Sequence, residues 1–257
     1  MQKQLLPVGV FDSGVGGASV LKELVRILPC EDFLYLGDSK NAPYGTKSHE
    51  DILNHSLACA KYLMDKGIKA LVVACNTATS VCIEDLRAKY GSLMPIVGIE
   101  PALKPAVEFH DGATVLVMAT PLTLKENKFA KLCENYKDRA NIIPLPCPGL
   151  MELIEAGHIS DEVTEEFLRD LFKKEQIPTP DSVVLGCTHY PFAADAIRRI
   201  FPGTEIYDGG EGTARQLKRL LGENNLITAK TEPGVITVEN TLGSSQINEL
   251  IKKLIIS

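Results

Sequence analysis

The chain has 257 residues, 45% hydrophobic and 23% charged, with 27 Lys and Arg against 33 Asp and Glu for a net charge of -6. At roughly 150 residues per domain it makes one large domain or two modest ones, and its balance excludes a disordered or fibrous chain. No basic run stands out, so nucleic acid is not an expected partner.

The N-terminal stretch MQKQLLPVGVFD carries one lysine and an apolar run that Asp12 interrupts, so no export signal is expected. Apolar stretches such as Ala70 to Cys75 fall far short of the ~20 residues of a membrane helix, so no membrane partner is expected. Seven cysteines, an odd number without the close spacing of a zinc ligand pair, fit a reduced cytoplasmic protein and imply no metal.

In chain order, short β-rich runs read as strands at Val8 to Phe11, Phe33 to Leu36, Leu71 to Ala74, Ile96 to Ile99, Val115 to Met118, Ile142 to Leu145, Val183 to Leu185 and Glu205 to Tyr207. Their near-continuous apolar character is that of buried parallel strands. Helical patterns alternate with them. Ser48 caps one that runs to about Lys66 with Gly67 at its end, and Val163, Phe167, Leu168, Leu171 and Phe172 make an apolar helical face. Alternating strands and helices predict an α/β fold.

Ligands of open α/β sheets bind at the carboxyl ends of the strands, and these ends are polar here. The first leads into Asp12-Ser13-Gly14-Val15-Gly16-Gly17. The second gives Gly37-Asp38 and then Ala42-Pro43-Tyr44-Gly45; the third gives Cys75-Asn76-Thr77. Ala119-Thr120 with Thr123 follows the fifth, and Gly186-Cys187-Thr188-His189 the seventh. The glycine loop is an incomplete dinucleotide fingerprint, with Ser19 at its third position, and is read instead as a carboxylate or close-packing site.

LVVACNT and VVLGCTH resemble each other at an offset of 112 residues from Cys75 to Cys187, and Asp12 and Ala119 lie at a similar offset of 107. Two related α/β halves facing each other are expected, with Cys75 opposite Cys187. A thiol after a buried strand and ahead of a helix sits where the helix dipole favours thiolate. One such cysteine beside a histidine suggests acyl chemistry. Two suit removing a proton from one face of a carbon and returning one to the other, which is racemisation. Cys30, Cys59, Cys82, Cys133 and Cys147 lack this context and read as structural. Asp12 is a candidate for a substrate ammonium or for tuning a thiol, with helix capping as its plain alternative. His189 is a candidate to hold a proton near Cys187 or to act as acid at a substrate carboxylate, with a surface histidine as its plain alternative, whereas His49, His55, His110 and His158 read as solvated. Ser13, Asn76, Thr77, Thr120, Thr123 and Thr188 are suited to orienting a small polar acid.

VFDSGVGG, GDSKNAPYG, VVACNTATS, GIEP and VVLGCTHYP together resemble the signature blocks of bacterial glutamate racemases, across residues 8 to about 212. The resemblance implies two pseudosymmetric α/β lobes, residues 1–97 with 207–257 and residues 98–206, each a mostly parallel sheet flanked by helices, with the active site in the cleft between them. It implies an isomerase without cofactor or metal that interconverts L- and D-glutamate for peptidoglycan. Cys75 and Cys187 would be the acid/base thiols, assisted by Asp12 and His189. Asp12, Ser13, Tyr44, Gly45, Asn76, Thr77, Thr188 and His189 would line the glutamate site, joined by Thr120 and Thr123. A second-lobe glutamate of the family matches Glu155 in CPGLMELIEAG, although Glu152 stands where proline is frequent, and Leu122-Thr123 and Glu126 replace the usual Gly-Thr and Ser. Many members dimerise, so a homodimer is among the expectations. The alternatives are a related racemase for aspartate, another small acid or a hydantoin, and a two-lobed carboxylate-binding protein without chemistry. A redox pairing of Cys75 with Cys187 is disfavoured because no Cys-x-x-Cys is present.

Overall fold

A computed structural model describes residues 3–108 and 112–256. The chain divides into two units, the first running to Glu100 and resuming at Gly210, the second being Pro101–Gly209. In chain order the strands are β1 (Val8–Asp12), β2 (Phe33–Gly37), β3 (Ala70–Val73), β4 (Ile96–Gly98), β5 (Thr114–Ala119), β6 (Asn141–Pro146), β7 (Ser182–Gly186), β8 (Glu205–Asp208) and β9 (Ile236–Asn240). Both crossings fall three residues later than the sequence-based boundaries, because β4 pairs with β3 through Gly98 and β8 pairs with β7 through Asp208. A cut at 97 or 206 would divide a paired strand.

The first sheet has the order β4-β3-β1-β2-β9 and the second β6-β5-β7-β8, with every pairing parallel. Taken from the β4 and β8 edges, β4-β3-β1-β2 repeats as β8-β7-β5-β6. The register repeats too. Phe11 lies opposite Val73 and Met118 opposite Leu185, so the next residues, Asp12 and Ala119, are equivalent, and so are Cys75 and Cys187 two positions beyond the other pair. The two short sequence similarities are thus one structural repeat.

Central strands are buried on both faces, as parallel sheets covered by helices require. In the second unit Leu116 and Met118 point into one core and Val115 and Val117 into the other. The edge strands β6 and β8 depart from the expected burial, being largely exposed or half-buried. Pro144 and Pro146 are tolerated in β6 because one side of an edge strand needs no ladder donor. β9 is absent from the sequence-based strands. Only Val238 and Asn240 of its five residues are buried, and it joins the first sheet outside β2.

The helix expected after Ser48 spans His49–Asp65, with the Ser48 hydroxyl accepting from the Asp51 N–H and Gly67 closing it at φ +83°. Along Glu162–Lys174, Leu168 and Phe172 are buried but Val163 is 43% exposed, so it stands outside the face assigned to it. Among the described residues no helix is long and apolar enough to cross a membrane.

Candidate active site

In the first unit the candidate residues gather at the carboxyl ends of β1, β2 and β3. Cys75 leaves β3 in extended conformation and caps the 15-residue helix Asn76–Tyr90, its Sγ accepting from the Ala78 N–H at 3.4 Å. A sulfur there meets the positive end of the helix dipole, which favours thiolate over thiol. The thiol also donates to Ser13 Oγ at 3.3 Å, and both residues are buried. Asp12 is fully buried and accepts from the Gly14 N–H at 2.9 Å. The cap position of the following helix is Gly17, so the plain capping role for Asp12 does not hold.

The glycine loop is a close-packing element, in agreement with the reading that set aside a dinucleotide. A Cβ on Gly17 would stand 2.5 Å from Asp12 Cβ and 2.8 Å from the Tyr35 hydroxyl. That hydroxyl donates to the Gly14 carbonyl at 2.8 Å and so braces the loop under Asp12.

Asn76 is 5% exposed, and its side-chain nitrogen and oxygen are buried without a hydrogen-bond partner among the described residues. A buried amide left unpaired costs roughly 1–3 kcal/mol and is uncommon away from functional sites. Thr77 beside it is 3% exposed.

Tyr44 is buried, tilted against Phe11 and His55, and donates to Asp38 Oδ2 at 2.7 Å. Burial, with the Asp38 carboxylate beside it, pushes the phenol well above its ordinary range and keeps it a donor. Gly45 follows it in a short 3-10 turn, Tyr44–Thr46. Asp38, in the sequence only a polar strand end, is the hub of this corner, and the one signal for it is an acid placed directly behind the buried run FLYLG.

In the second unit Cys187 follows β7. A Cβ on Gly186 would stand 2.9 Å from Ala119 Cβ and 3.0 Å from the Met118 carbonyl, so glycine lets the strand end close on β5. Cys187 Sγ lies 3.8 Å from His189 Nδ1, and His189 Nε2 lies 2.9 Å from Glu155 Oε1. Thiol, imidazole and carboxylate thus form one line, with Cys187 and His189 buried and the Glu155 side chain 35% exposed. Gly149 begins the helix Leu150–Glu155 at φ +94°, which glycine adopts without strain, and that helix carries Glu155 at its last position. Tyr190 donates to the Cys147 carbonyl at 3.2 Å, and burial raises both the Tyr190 phenol and the Cys147 thiol.

Thr188 is 4% exposed. Thr120 caps the helix Pro121–Lys125, and its hydroxyl and that of Thr123 are 2.9 Å apart. Capping therefore shares Thr120 with any role toward a ligand.

Other assignments change. His55 packs on Tyr44 and is half-buried, and His158 bonds Asp161 at 2.8 Å, so neither is merely solvated; His49 is exposed and His110 lies outside the described residues. Cys59, Cys82 and Cys147 are buried, whereas Cys30 and Cys133 are half-buried. Among the described residues no group of three His, Cys, Asp or Glu side chains is disposed to hold a metal ion.

The family described as Asp/Glu/Hydantoin racemase matches residues 8–217. A glutamate racemase of Clostridium botulinum (strain Hall) is 53% identical over 249 residues, covering 96% of each chain. The structure of a Francisella tularensis glutamate racemase in complex with D-glutamate has a TM-score of 0.82 at 29% identity, over 97% of this chain and 94% of that one. The Escherichia coli glutamate racemase, in complex with L-glutamate and the activator UDP-MurNAc-ala, has a TM-score of 0.83 at 30% identity, over 97% and 95%.

Proposed function

The chain belongs to the Asp/Glu/Hydantoin racemase family, and on that premise we propose that it is a glutamate racemase, interconverting L- and D-glutamate in the cytoplasm and supplying D-glutamate for peptidoglycan. The observation that carries the reading is the pair of thiols at equivalent strand ends, Cys75 and Cys187, each with its own buried partner, in a chain 53% identical to a glutamate racemase. Seven unpaired cysteines favour a reducing compartment.

The two thiols divide the work. One, as thiolate, takes the α-proton of one enantiomer, and the other, as thiol, gives a proton to the opposite face of the planar carbanion; the reverse reaction exchanges their roles. At Cys75 the helix N-terminus and Ser13 Oγ stabilise the sulfur, with Asp12 behind the same loop. At Cys187 the proton is shared with His189, which Glu155 orients and whose cationic form Glu155 stabilises. Glu155 reaches the reaction through His189 and is a positioning residue. Asn76, Thr77, Thr188, Tyr44 and Gly45 provide amide, hydroxyl and backbone groups for the two carboxylates and the ammonium, and Thr120 and Thr123 add hydroxyls in the second unit. The unpaired amide of Asn76 supports this assignment most directly. A homodimer belongs to the same reading, and sedimentation equilibrium tests it.

Purified protein is assayed for kcat/KM with each enantiomer of glutamate and aspartate and with a 5-substituted hydantoin. Glutamate is expected to lead aspartate by about a hundredfold or more, since the shorter acid cannot reach the groups built for the side-chain carboxylate and leaves them unpaired. Aspartate or hydantoin turnover equal to that of glutamate would remove the substrate assignment.

A further inference from the structure

The matched family region ends at residue 217, yet the first sheet is completed by a strand beyond it, β9 at Ile236–Asn240. The residue after that strand, Thr241, reaches into the corner that carries Tyr44. Its hydroxyl donates to Asp38 Oδ1 at 2.8 Å and accepts from the Lys40 N–H at 3.0 Å, while its own N–H donates to the Gly37 carbonyl at 3.0 Å. Asp38 is 1% exposed and gathers further donors: the Tyr44 hydroxyl at 2.7 Å on Oδ2 and Asn41 Nδ2 at 3.0 Å from each oxygen. One buried carboxylate therefore ties the end of β2, the Tyr44 turn and the chain leaving β9.

We propose that Asp38 is a positioning residue for substrate binding: it holds the Tyr44–Gly45 turn in place, and Thr241, supplied by the C-terminal segment, locks Asp38. This rests on the assignment of Tyr44 and Gly45 to the glutamate site. The part of Asp38 is to accept: each carboxylate oxygen takes two bonds, from the turn and from Thr241. A carboxylate is the group the corner needs. It accepts from every side, whereas an amide would turn an NH2 toward one of the donors. The corner borders a cavity of about 460 Å3 lined in part by Leu36, His55, Cys59 and Tyr62, so a valine at 241, whose methyl replaces the hydroxyl 2.8 Å from Asp38 Oδ1, has room to shift.

The test compares Thr241→Val, Thr241→Ser and Asp38→Asn with the parent protein. Tyr62→Phe is the control, since it removes the 2.7 Å bond from Tyr62 to Glu239 on β9 without touching Asp38. Amide hydrogen exchange of peptides covering residues 39–47 is read without substrate, and KM and kcat are read for both glutamate enantiomers. Thr241→Val and Asp38→Asn are expected to speed exchange of that segment and to raise KM, on the order of threefold to tenfold for Thr241→Val, since only part of the loss of one hydrogen bond to a charged acceptor is passed on to the substrate turn. kcat should change less than KM, because the turn contributes binding common to ground and transition states. Thr241→Ser should restore both readouts, and Tyr62→Phe should move neither. Unchanged exchange in Thr241→Val and Asp38→Asn overturns the brace. Faster exchange with unchanged KM overturns its link to substrate affinity. No turnover of glutamate by the parent protein overturns the racemase assignment, and the exchange readout still decides the brace.

Discussion

Replacing His189 by Asn removes the imidazole from the line formed by Cys187, His189 and Glu155. The ring is 2% exposed and sits 3.8 Å from the sulfur and 2.9 Å from the carboxylate, so water does not substitute for it cheaply. Loss of a placed general acid or base costs about a hundred- to ten-thousandfold in rate, or about 3–5 kcal/mol. Glu155→Gln should cost less, about tenfold. The amide retains a hydrogen bond to the ring and loses only the charge that stabilises imidazolium, and the side chain is 35% exposed, which screens that charge. Enantiomers have equal free energies, so kcat/KM must fall by the same factor in both directions whichever thiol is impaired. The side of the damage shows only in kcat and KM taken separately. Circular dichroism followed from each pure enantiomer supplies all four constants, and a thermal melt confirms folding. An H189N protein within threefold of wild type in kcat/KM would refute the relay; an E155Q protein as impaired as H189N would make Glu155 a direct participant.

Cys75→Ser and Cys187→Ser should each abolish most racemisation in both directions, since a hydroxyl is far less acidic than a thiol; a polarimetric assay retaining a tenth of wild-type turnover in both variants would contradict two-thiol chemistry. Glu31→Ala should destabilise the first unit by about 3–5 kcal/mol, because among the described residues it leaves the buried Lys69 ammonium with only the Gln4 carbonyl, 2.6 Å away; urea unfolding checks this, and Glu31→Ala with Lys69→Met should recover part of the loss. Burial raises the Cys82 thiol to about 11. The folded state therefore keeps a proton that the unfolded chain releases near pH 9, and stability is full below that pH and falls as pH rises through about 11, by at most about 3 kcal/mol. Cys82→Ala should make this alkaline limb shallower in melts between pH 8 and 11, the other buried thiols Cys59 and Cys147 supplying the slope that remains. Gly17→Ala should lower turnover more than a hundredfold, because its Cβ would strike Asp12 Cβ at 2.5 Å and Tyr35 Oη at 2.8 Å; near-normal activity would show that the Asp12 loop tolerates displacement.

The sequence is legible where one local pattern decides the structure. Ser48 and Gly67 bracket a helix found at His49–Asp65, and the two thiol-bearing strand ends prove equivalent in register. Of the two roles the glycine loop offers, carboxylate site or close packing, the Cβ contacts at Gly17 support close packing. What escaped depends on contacts distant along the chain. β9 is a short, half-buried edge strand whose place beside β2 is set by pairing about 200 residues away. Asp38 looks like any acid after a strand until Tyr44, Asn41 and Thr241 are seen to converge on it. Glu155 was reachable only through resemblance, for nothing in LMELIEAG distinguishes it from Glu152; only the 2.9 Å approach of His189 does so. Val163 fits the helical period but stands at the solvent margin, since the spacing of apolar residues cannot tell how far the covering layer extends.

Thiols of this chain exchange the α-proton of glutamate in the proposed reaction. Its most direct test is incubation of the purified protein with L-glutamate in deuterated water under reducing conditions, following the α-proton by NMR and optical rotation together. The account predicts decay of rotation to zero, with deuterium entering the α-carbon as D-glutamate forms and little solvent isotope in the remaining L-glutamate at early times, because separate thiols act on the two faces. Rotation and α-proton signal both unchanged would contradict it.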